Sequence, residues 1–196
     1  MITKFSQLDL TKQYTYADYL TWQFNERVEL IKGWVLKMSP APSNKHQIIS
    51  RNITGELYPS LKNTNCALYV APFDVRLFNA KKSTTDNKVT TVVQPDICII
   101  CDKTKIEDRG CLGAPDFIIE IISKGNTKKE VETKFDLYEE NGVKEYWIVQ
   151  QGDETVTVFD LVKGKYKFRK IYSNDSLIPI KILKNFEINL KEVFEN

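Results

Sequence analysis

The chain has 196 residues, 42% of them hydrophobic and 28% charged, and a formal net charge of +2. These values exclude a disordered chain and predict one globular domain over residues 1–196. This mildly basic charge permits a nucleic-acid partner without arguing for one, and no apolar run approaches the ~20 residues of a membrane span. The first residues also lack the apolar segment of a secretory signal, so we expect a cytoplasmic protein with no membrane partner.

The first half of the chain predicts two helices and several strands. Residues 15–24 indicate a short helix that begins at a threonine cap, and RVELI and WVLKM predict a β-hairpin that turns at Lys32-Gly33. After a proline-rich break, apolar residues recur every four positions, which predicts an amphipathic helix with Asn44 and Gln47 as its capping pair. CALYVAP and FDVRLFN follow as strands, and the polar residues 79–88 predict a loop.

The second half predicts a strand–helix–strand unit near residues 116–150. VVQPDICIICD and PDFIIEIIS are apolar enough to be buried strands. The next helix, Lys128–Asn141, begins with the capping box of Thr127 and Glu130 and ends before Gly142. KEYWIVQ is the following strand, TVTVFDL and KYKFRKIY alternate as a hairpin, and INLKEVF ends the chain as a short helix. The fold class is therefore mixed α/β (α+β), a mixed β-sheet flanked by helices with additional β-hairpins.

Four cysteines raise the question of zinc binding or redox chemistry. Cys98 and Cys101 form a C-x-x-C, but in a strand an offset of three residues places the two thiols on opposite faces. The chain has no second C-x-x-C and a single histidine. We therefore predict that these two residues, with Cys66 and Cys111, are plain core cysteines.

Three charged residues violate the apolar pattern of their elements. Glu120 lies in PDFIIEIIS and Asp96 in VVQPDICII, where an ionised carboxylate needs a cation or several hydrogen-bond donors. Lys134 lies three residues after Val131 and four before Tyr138, within the apolar stripe of the helix, so it should point at the sheet. Such exceptions to the local pattern indicate a functional site.

Two acids on neighbouring strands and a lysine from the next helix suit phosphodiester hydrolysis. Mg²⁺ (or Mn²⁺) binds one or two carboxylates together with water and phosphate oxygens, and it lowers the pKa of a bound water. We expect Asp96 and Glu120 to hold this ion and Lys134 to assist the attacking water or offset charge on the phosphorane. The structural alternative is a buried Glu120–Lys134 ion pair, with Asp96 capping a strand.

Several motifs in order resemble a known family. They are QPD, GAPDFIIEIIS and K-x-x-x-Y-x-x-x-G-V-x-E-Y-W-I-V, preceded by VELIKGWVLKMSPAP, His46 and VAPFDVRL. From Thr15 to the C-terminus the chain closely resembles the Uma family of restriction endonucleases, within the PD-(D/E)xK nuclease superfamily. The resemblance implies a restriction endonuclease-like core and a metal-dependent DNA endonuclease, with DNA as the partner. The alternative is a catalytically inactive nucleic-acid-binding or protein-interaction module on the same fold, and a homodimer stays open.

The superfamily motif carries over residue by residue, with one departure. It makes Asp96 the first acid and Glu120 the second, whereas the second PD, at Asp116, lies too close to Glu120 to serve. Two residues after Glu120, where the motif has its lysine, this chain has isoleucine. The resemblance implies that the lysine has migrated to the helix as Lys134, and Lys124 is the alternative.

Two further candidates come from the N-terminal half. Glu29, in VELI, resembles the N-terminal acid of the family and is a candidate third metal ligand. His46 lies at a helix N-terminus and could contact a phosphate or the metal-bound water. A lone histidine is nevertheless more often a capping or structural residue.

Neighbouring polar and aromatic residues are interpreted as supporting groups. Asp74 and Arg76 share a strand face, which predicts a local ion pair, with support of the metal site as the alternative for Asp74. Gln94 shares a strand face with the PD aspartate and could orient it. Tyr138 and Trp147 are predicted to lie in the core.

Overall fold

The computed structural model of the chain describes residues 1–38, 41–78, 84–123 and 126–195. No helix in these ranges is long and apolar enough to cross a membrane. The helices are α1 (Tyr16–Tyr19), α2 (Asn44–Leu61), α3 (Lys128–Asn141) and α4 (Leu190–Phe194), with 3-10 turns at Phe5–Gln7 and Lys103–Lys105.

The strands form two large mixed sheets and one small sheet. An N-terminal sheet has the order β2-β1-β5-β4-β8-β7, a central sheet has the order β12-β11-β10-β9-β6-β3, and β13 pairs with β14. In chain order the strands are β1 (Val28–Ile31), β2 (Trp34–Lys37), β3 (Ala67–Val70), β4 (Val75–Leu77), β5 (Thr91–Val93), β6 (Ile97–Ile100), β7 (Ile106–Glu107), β8 (Gly110–Leu112), β9 (Phe117–Ile122), β10 (Glu145–Gln150), β11 (Thr155–Val162), β12 (Lys165–Tyr172), β13 (Leu177–Pro179) and β14 (Glu187–Asn189).

The central sheet is buried on both faces, as the apolar runs of β6, β9 and β10 predict. On one face Phe117 and Ile119 pack in a core that includes α2 and α4. On the other face Ile118 packs with Leu137 of α3 and with Val93 of the N-terminal sheet. Because side chains alternate along a strand, Ile118, Glu120 and Ile122 of β9 therefore point towards α3 and the N-terminal sheet.

Local sequence signals fix several element boundaries as predicted. The capping box of Thr127 and Glu130 starts α3, and Gly142 follows its end with a φ of 84°. β9 and β10 pair in parallel around α3, which confirms the strand–helix–strand unit. The hairpin between β1 and β2 turns at Lys32 and Gly33, both with positive φ. A Cβ atom added at position 33 would also lie 2.8 Å from the Cβ atom of Gln13, so glycine is required there.

Other boundaries differ from the sequence expectations. α1 is shorter than predicted, and the cap of α2 is Ser43, whose hydroxyl accepts the His46 N–H, rather than the Asn44–Gln47 pair. The expected mixed sheet flanked by helices is confirmed as a class, but its strands divide into two large sheets. Of the predicted loop 79–88, residues 79–83 lie outside the described ranges.

The prediction for the cysteines is half wrong. Cys98 and Cys111 are free and buried, as expected. Cys66 and Cys101 instead form a disulfide. The cause is the antiparallel pairing of β3 with β6, which sets Ala67 opposite the last residue of β6 and so brings the two flanking cysteines together. Neither strand pairing nor register was visible in the spacing of the cysteines.

Candidate active site

Asp96 and Glu120 come together across two neighbouring strands of the central sheet. β6 and β9 are antiparallel, with Ile97 opposite Ile119, and one further step in this register sets Asp96 opposite Glu120. Directly opposite residues in an antiparallel pair point to the same face. The Ile121 N–H donates to Asp96 Oδ2 at 2.8 Å, and both acids line one cleft of about 140 Å³.

Lys134 reaches this cleft from α3, as its place in the apolar stripe predicts. Its Nζ lies 2.9 Å from Glu120 Oε1 and 3.2 Å from Glu29 Oε1. One turn later on the helix, the Tyr138 hydroxyl donates to Glu120 Oε1 at 2.6 Å. Tyr138 is buried, as expected for a core residue, but its hydrogen bond to the acid was not predicted. The signal available in the sequence was its position four residues after Lys134.

Glu29 brings a third carboxylate to the cleft from the N-terminal sheet. It is 5% exposed, and its Oε1 accepts the Gln94 N–H at 2.8 Å as well as the lysine ammonium. Glu29 and Glu120 therefore flank the Nζ of Lys134. The four sequence candidates for the centre, which are Glu29, Asp96, Glu120 and Lys134, all line the same cleft.

Burial and mutual charge shape the ionisation of this group. Burial raises the pKa of Glu120 to about 7, against the opposing effect of the Lys134 ammonium and with help from the Asp96 and Glu29 charges. Burial alone would lower the pKa of Lys134, but the Glu120 and Glu29 carboxylates outweigh it and raise that pKa above its usual value. Near neutral pH the lysine is therefore charged while Glu120 is close to half-ionised.

His46 closes one side of the cleft from the start of α2. Its Nε2 lies 3.3 Å from Asp96 Oδ2, so the histidine contacts the predicted first acid directly. Burial lowers the pKa of His46, but hydrogen bonding to Asp96 and its charge outweigh this effect and raise the pKa. Its buried Nδ1 has no hydrogen-bond partner within the described ranges.

Gln94 and Asp74 form a second set of contacts beside the acids. Gln94 Nε2 donates to Asp74 Oδ1 at 2.8 Å, and Gln94 Oε1 accepts from Arg27 Nη2 at 2.7 Å. The structure thus corrects the prediction that Gln94 orients Asp96, because its side chain turns to Asp74 and Arg27 instead.

The predicted ion pair between Asp74 and Arg76 is also wrong. Arg76 Nη2 pairs with Glu107 at 2.6 Å, and its Nη1 lies 3.9 Å from Asp86. Asp74 precedes β4, which begins at Val75, so the alternation of a strand does not extend to it. Burial raises the pKa of Asp74, although the hydrogen bonds that it accepts from Gln94 and Tyr19 lower it.

The remaining sequence candidates lie elsewhere. Asp116 accepts the Cys101 N–H at 2.7 Å and pairs with Lys144 at 2.6 Å, away from the cleft, in agreement with its exclusion from the motif. Trp147 is fully buried in the core, as predicted. Lys124 lies outside the described residues.

The donor set suits an ion that needs few protein ligands. Within the described ranges, Asp96 Oδ1 and Glu120 Oε2 accept no hydrogen bond, so two carboxylate oxygens are uncommitted. No group of three or more His, Cys, Asp or Glu in those ranges forms a ready-made metal cage. Mg²⁺ is often held by only one or two carboxylates, with waters and substrate phosphates completing its shell. These donors therefore suit an open site for Mg²⁺ or Mn²⁺ better than a structural metal site in which the protein supplies every ligand.

Comparisons with known proteins identify a family and a similar fold. The family model Uma2, described as "Putative restriction endonuclease", matches residues 16–191. The fold is also similar to the crystal structure of a putative nuclease belonging to DUF820 from Anabaena variabilis, with a TM-score of 0.70, 18% identity, and coverage of 92% of this chain and 97% of that chain. No curated protein matches the chain at a significant level. Because the family model spans most of the sequence, the chain belongs to the Uma2 family.

Proposed function

We propose that the protein is a metal-dependent DNA endonuclease that hydrolyses phosphodiester bonds. One observation carries the proposal: Asp96 and Glu120 face each other in a cleft where Lys134 Nζ lies 2.9 Å from Glu120. Two buried acids beside a partly buried third acid and lysine cost folding free energy, so their presence favours a catalytic use. The Uma2 family supports DNA as the substrate class.

Asp96 Oδ1 and Glu120 Oε2 would hold Mg²⁺ or Mn²⁺, and Glu29 is proposed as a further ligand. A bound divalent ion lowers the pKa of a coordinated water and stabilises the departing oxygen. Lys134 favours the ionised form of Glu120 by its charge and would offset negative charge that develops on the phosphate. Tyr138 holds Glu120 Oε1, which leaves Oε2 free for the cleft.

The competing function is a non-catalytic binding module on the same fold. It is favoured by the lack, within the described ranges, of a preformed group of three metal ligands. The two functions differ in whether the wild-type protein breaks phosphodiester bonds when a divalent ion is supplied.

The decisive test incubates the protein with supercoiled plasmid in Mg²⁺, Mn²⁺ or EDTA. We expect nicked and linear products with either metal and none in EDTA, and no products with Glu120→Ala. The matched control is Glu139→Gln, since Glu139 lies on α3 but bonds Lys165 outside the cleft. A wild-type protein that leaves the plasmid intact with both metals would favour the binding module. Cleavage that survives in Glu120→Ala would exclude this site.

A further inference from the structure

An exposed cation lines the wall of the cleft that the β1–β2 hairpin forms. Arg27 precedes β1 and lines the cleft that holds Glu120. Within the described ranges it has no acidic partner, whereas Lys134 is paired with two carboxylates. Lys37, at the end of β2, points to the other face of the hairpin, where its Nζ lies 5.1 Å from the centroid of the Phe5 ring.

The guanidinium of Arg27 is oriented by a neutral partner. Asp74 accepts the amide N–H of Gln94, which turns Gln94 Oε1 towards Arg27 Nε at 3.3 Å and Nη2 at 2.7 Å. An arginine side chain has five N–H donors, and these contacts use two of them. The amide therefore fixes the side chain while leaving its full charge and about three donors for a ligand.

Gln94 also ties Arg27 to the acids of the cleft. Its backbone N–H donates to Glu29 Oε1 at 2.8 Å, and it lies two residues before Asp96. A ligand group bound by Arg27 is therefore held in a fixed relation to these carboxylates. The acids repel a phosphate and Lys134 is paired with two of them, so an unpaired cation beside them adds to the attraction that a bound divalent ion exerts on a polyanion.

We propose that Arg27 forms a subsite for the DNA phosphate adjacent to the scissile one. The planar fork of arginine matches two phosphate oxygens. This subsite rests on the proposed function for its substrate, and it adds a residue that positions the strand. It also places the DNA backbone along the β1–β2 hairpin rather than along the lysine-rich β11–β12 hairpin.

The test is the salt dependence of DNA binding, measured by fluorescence anisotropy with a short labelled duplex in EDTA. The parent protein is the full chain with Glu120→Gln, which removes one repelling charge from the cleft. Each phosphate contact contributes about 0.9 to the slope of log K against log salt concentration. We expect Arg27→Gln to reduce the magnitude of the slope by about one. Lys37→Gln, on the other face of the same hairpin, should leave the slope unchanged.

Lys62→Gln is a second control. Lys62 is exposed without an acidic partner within the described ranges, and it follows the last residue of α2, about 24 Å along the helix from His46. Its slope should equal that of the parent. An unchanged slope in Arg27→Gln, an equal loss in Lys37→Gln or Lys62→Gln, or no duplex binding by the parent would overturn the subsite. Plasmid cleavage by the wild type together with an unchanged slope in Arg27→Gln would overturn the subsite alone, whereas a reduced slope in Arg27→Gln without cleavage would support the subsite and overturn the nuclease.

Discussion

Replacing Lys134 with methionine should destabilise the protein in a way that depends on pH. Glu120 is 5% exposed, and its Oε1 is bonded by Lys134 at 2.9 Å and by Tyr138 at 2.6 Å. Methionine keeps the aliphatic volume but leaves Glu120 with the tyrosine alone. Removing one partner of a buried ion pair costs about 3–5 kcal/mol when the remaining charge cannot be neutralised.

Protonation of Glu120 limits that cost, and the limit sets the pH dependence. The pKa of Glu120 is about 7 with the lysine present, so at pH 6 the acid is mostly neutral in the wild type. At Glu120 the variant then loses only about 1 kcal/mol, the value of a hydrogen bond. The 3.2 Å contact of Lys134 with Glu29 is lost as well. Without the cation the pKa of Glu120 rises further, and the folded variant keeps a proton that the unfolded chain has released. Its free energy of unfolding should therefore fall relative to wild type by up to about 1.4 kcal/mol per pH unit above 7.

Urea melts of both proteins at pH 6 and pH 9 measure this difference. We expect the loss in the variant to be about 3 kcal/mol larger at pH 9 than at pH 6. Lys165→Met is the control, because Lys165 pairs with Glu139 on the surface and its removal should give the same small change at both pH values. An equal loss at pH 6 and pH 9 in the Lys134 variant would refute the reasoning about Glu120.

Four further outcomes can be measured on the same material. Tyr138→Phe removes the hydroxyl donor of Glu120 and should cost about 2 kcal/mol above pH 7 in urea melts, and less at pH 5. The pKa of Glu120 is raised from 4.5 to about 7, so the folded protein holds a proton that the unfolded chain has released. As the pH rises between those two values in EDTA, the free energy of unfolding of the wild type should therefore fall by roughly 3 kcal/mol more than that of Glu120→Gln, which lacks the titrating carboxyl group. Millimolar Mn²⁺ should raise the melting temperature of the wild type but not of Asp96→Asn, as measured by thermal shift. Reduction of the Cys66–Cys101 disulfide, which links residues 35 positions apart, should lower the free energy of unfolding by about 4 kcal/mol in melts with and without dithiothreitol.

Local signals predicted the elements well, and pairing between distant elements much less well. Thr127, Glu130 and Gly142 fix α3 through backbone hydrogen bonds within a few residues, so the sequence is sufficient there. The division into two sheets depends on which apolar strands pair, such as β1 with β5, and period-two patterns show faces rather than partners. The disulfide follows from one such pairing and was missed for the same reason.

Asp96, Glu120 and Lys134 could be predicted to meet because each is a charged residue in an apolar pattern. Glu29 was a candidate only through the resemblance to the Uma family. Glu120 and Lys134 had no other explanation than each other or a ligand. Tyr138 was interpreted only as core, because an aromatic residue on an apolar stripe fits the core equally well and its hydroxyl leaves no trace in the pattern. The contact between Gln94 and Arg27 joins residues 67 positions apart, so no local signal marks it.

The central claim is that Asp96 and Glu120 hold one divalent cation together, and a crystal structure with Mn²⁺ tests it most directly. Data collected at a wavelength where manganese scatters anomalously locate the ion independently of the protein atoms. The claim predicts one anomalous peak within about 2.0–2.3 Å of a carboxylate oxygen of each residue, and no peak there in crystals of Asp96→Asn. A peak bound to only one of the two acids, or a cleft without manganese in crystals that bind it elsewhere, would contradict it.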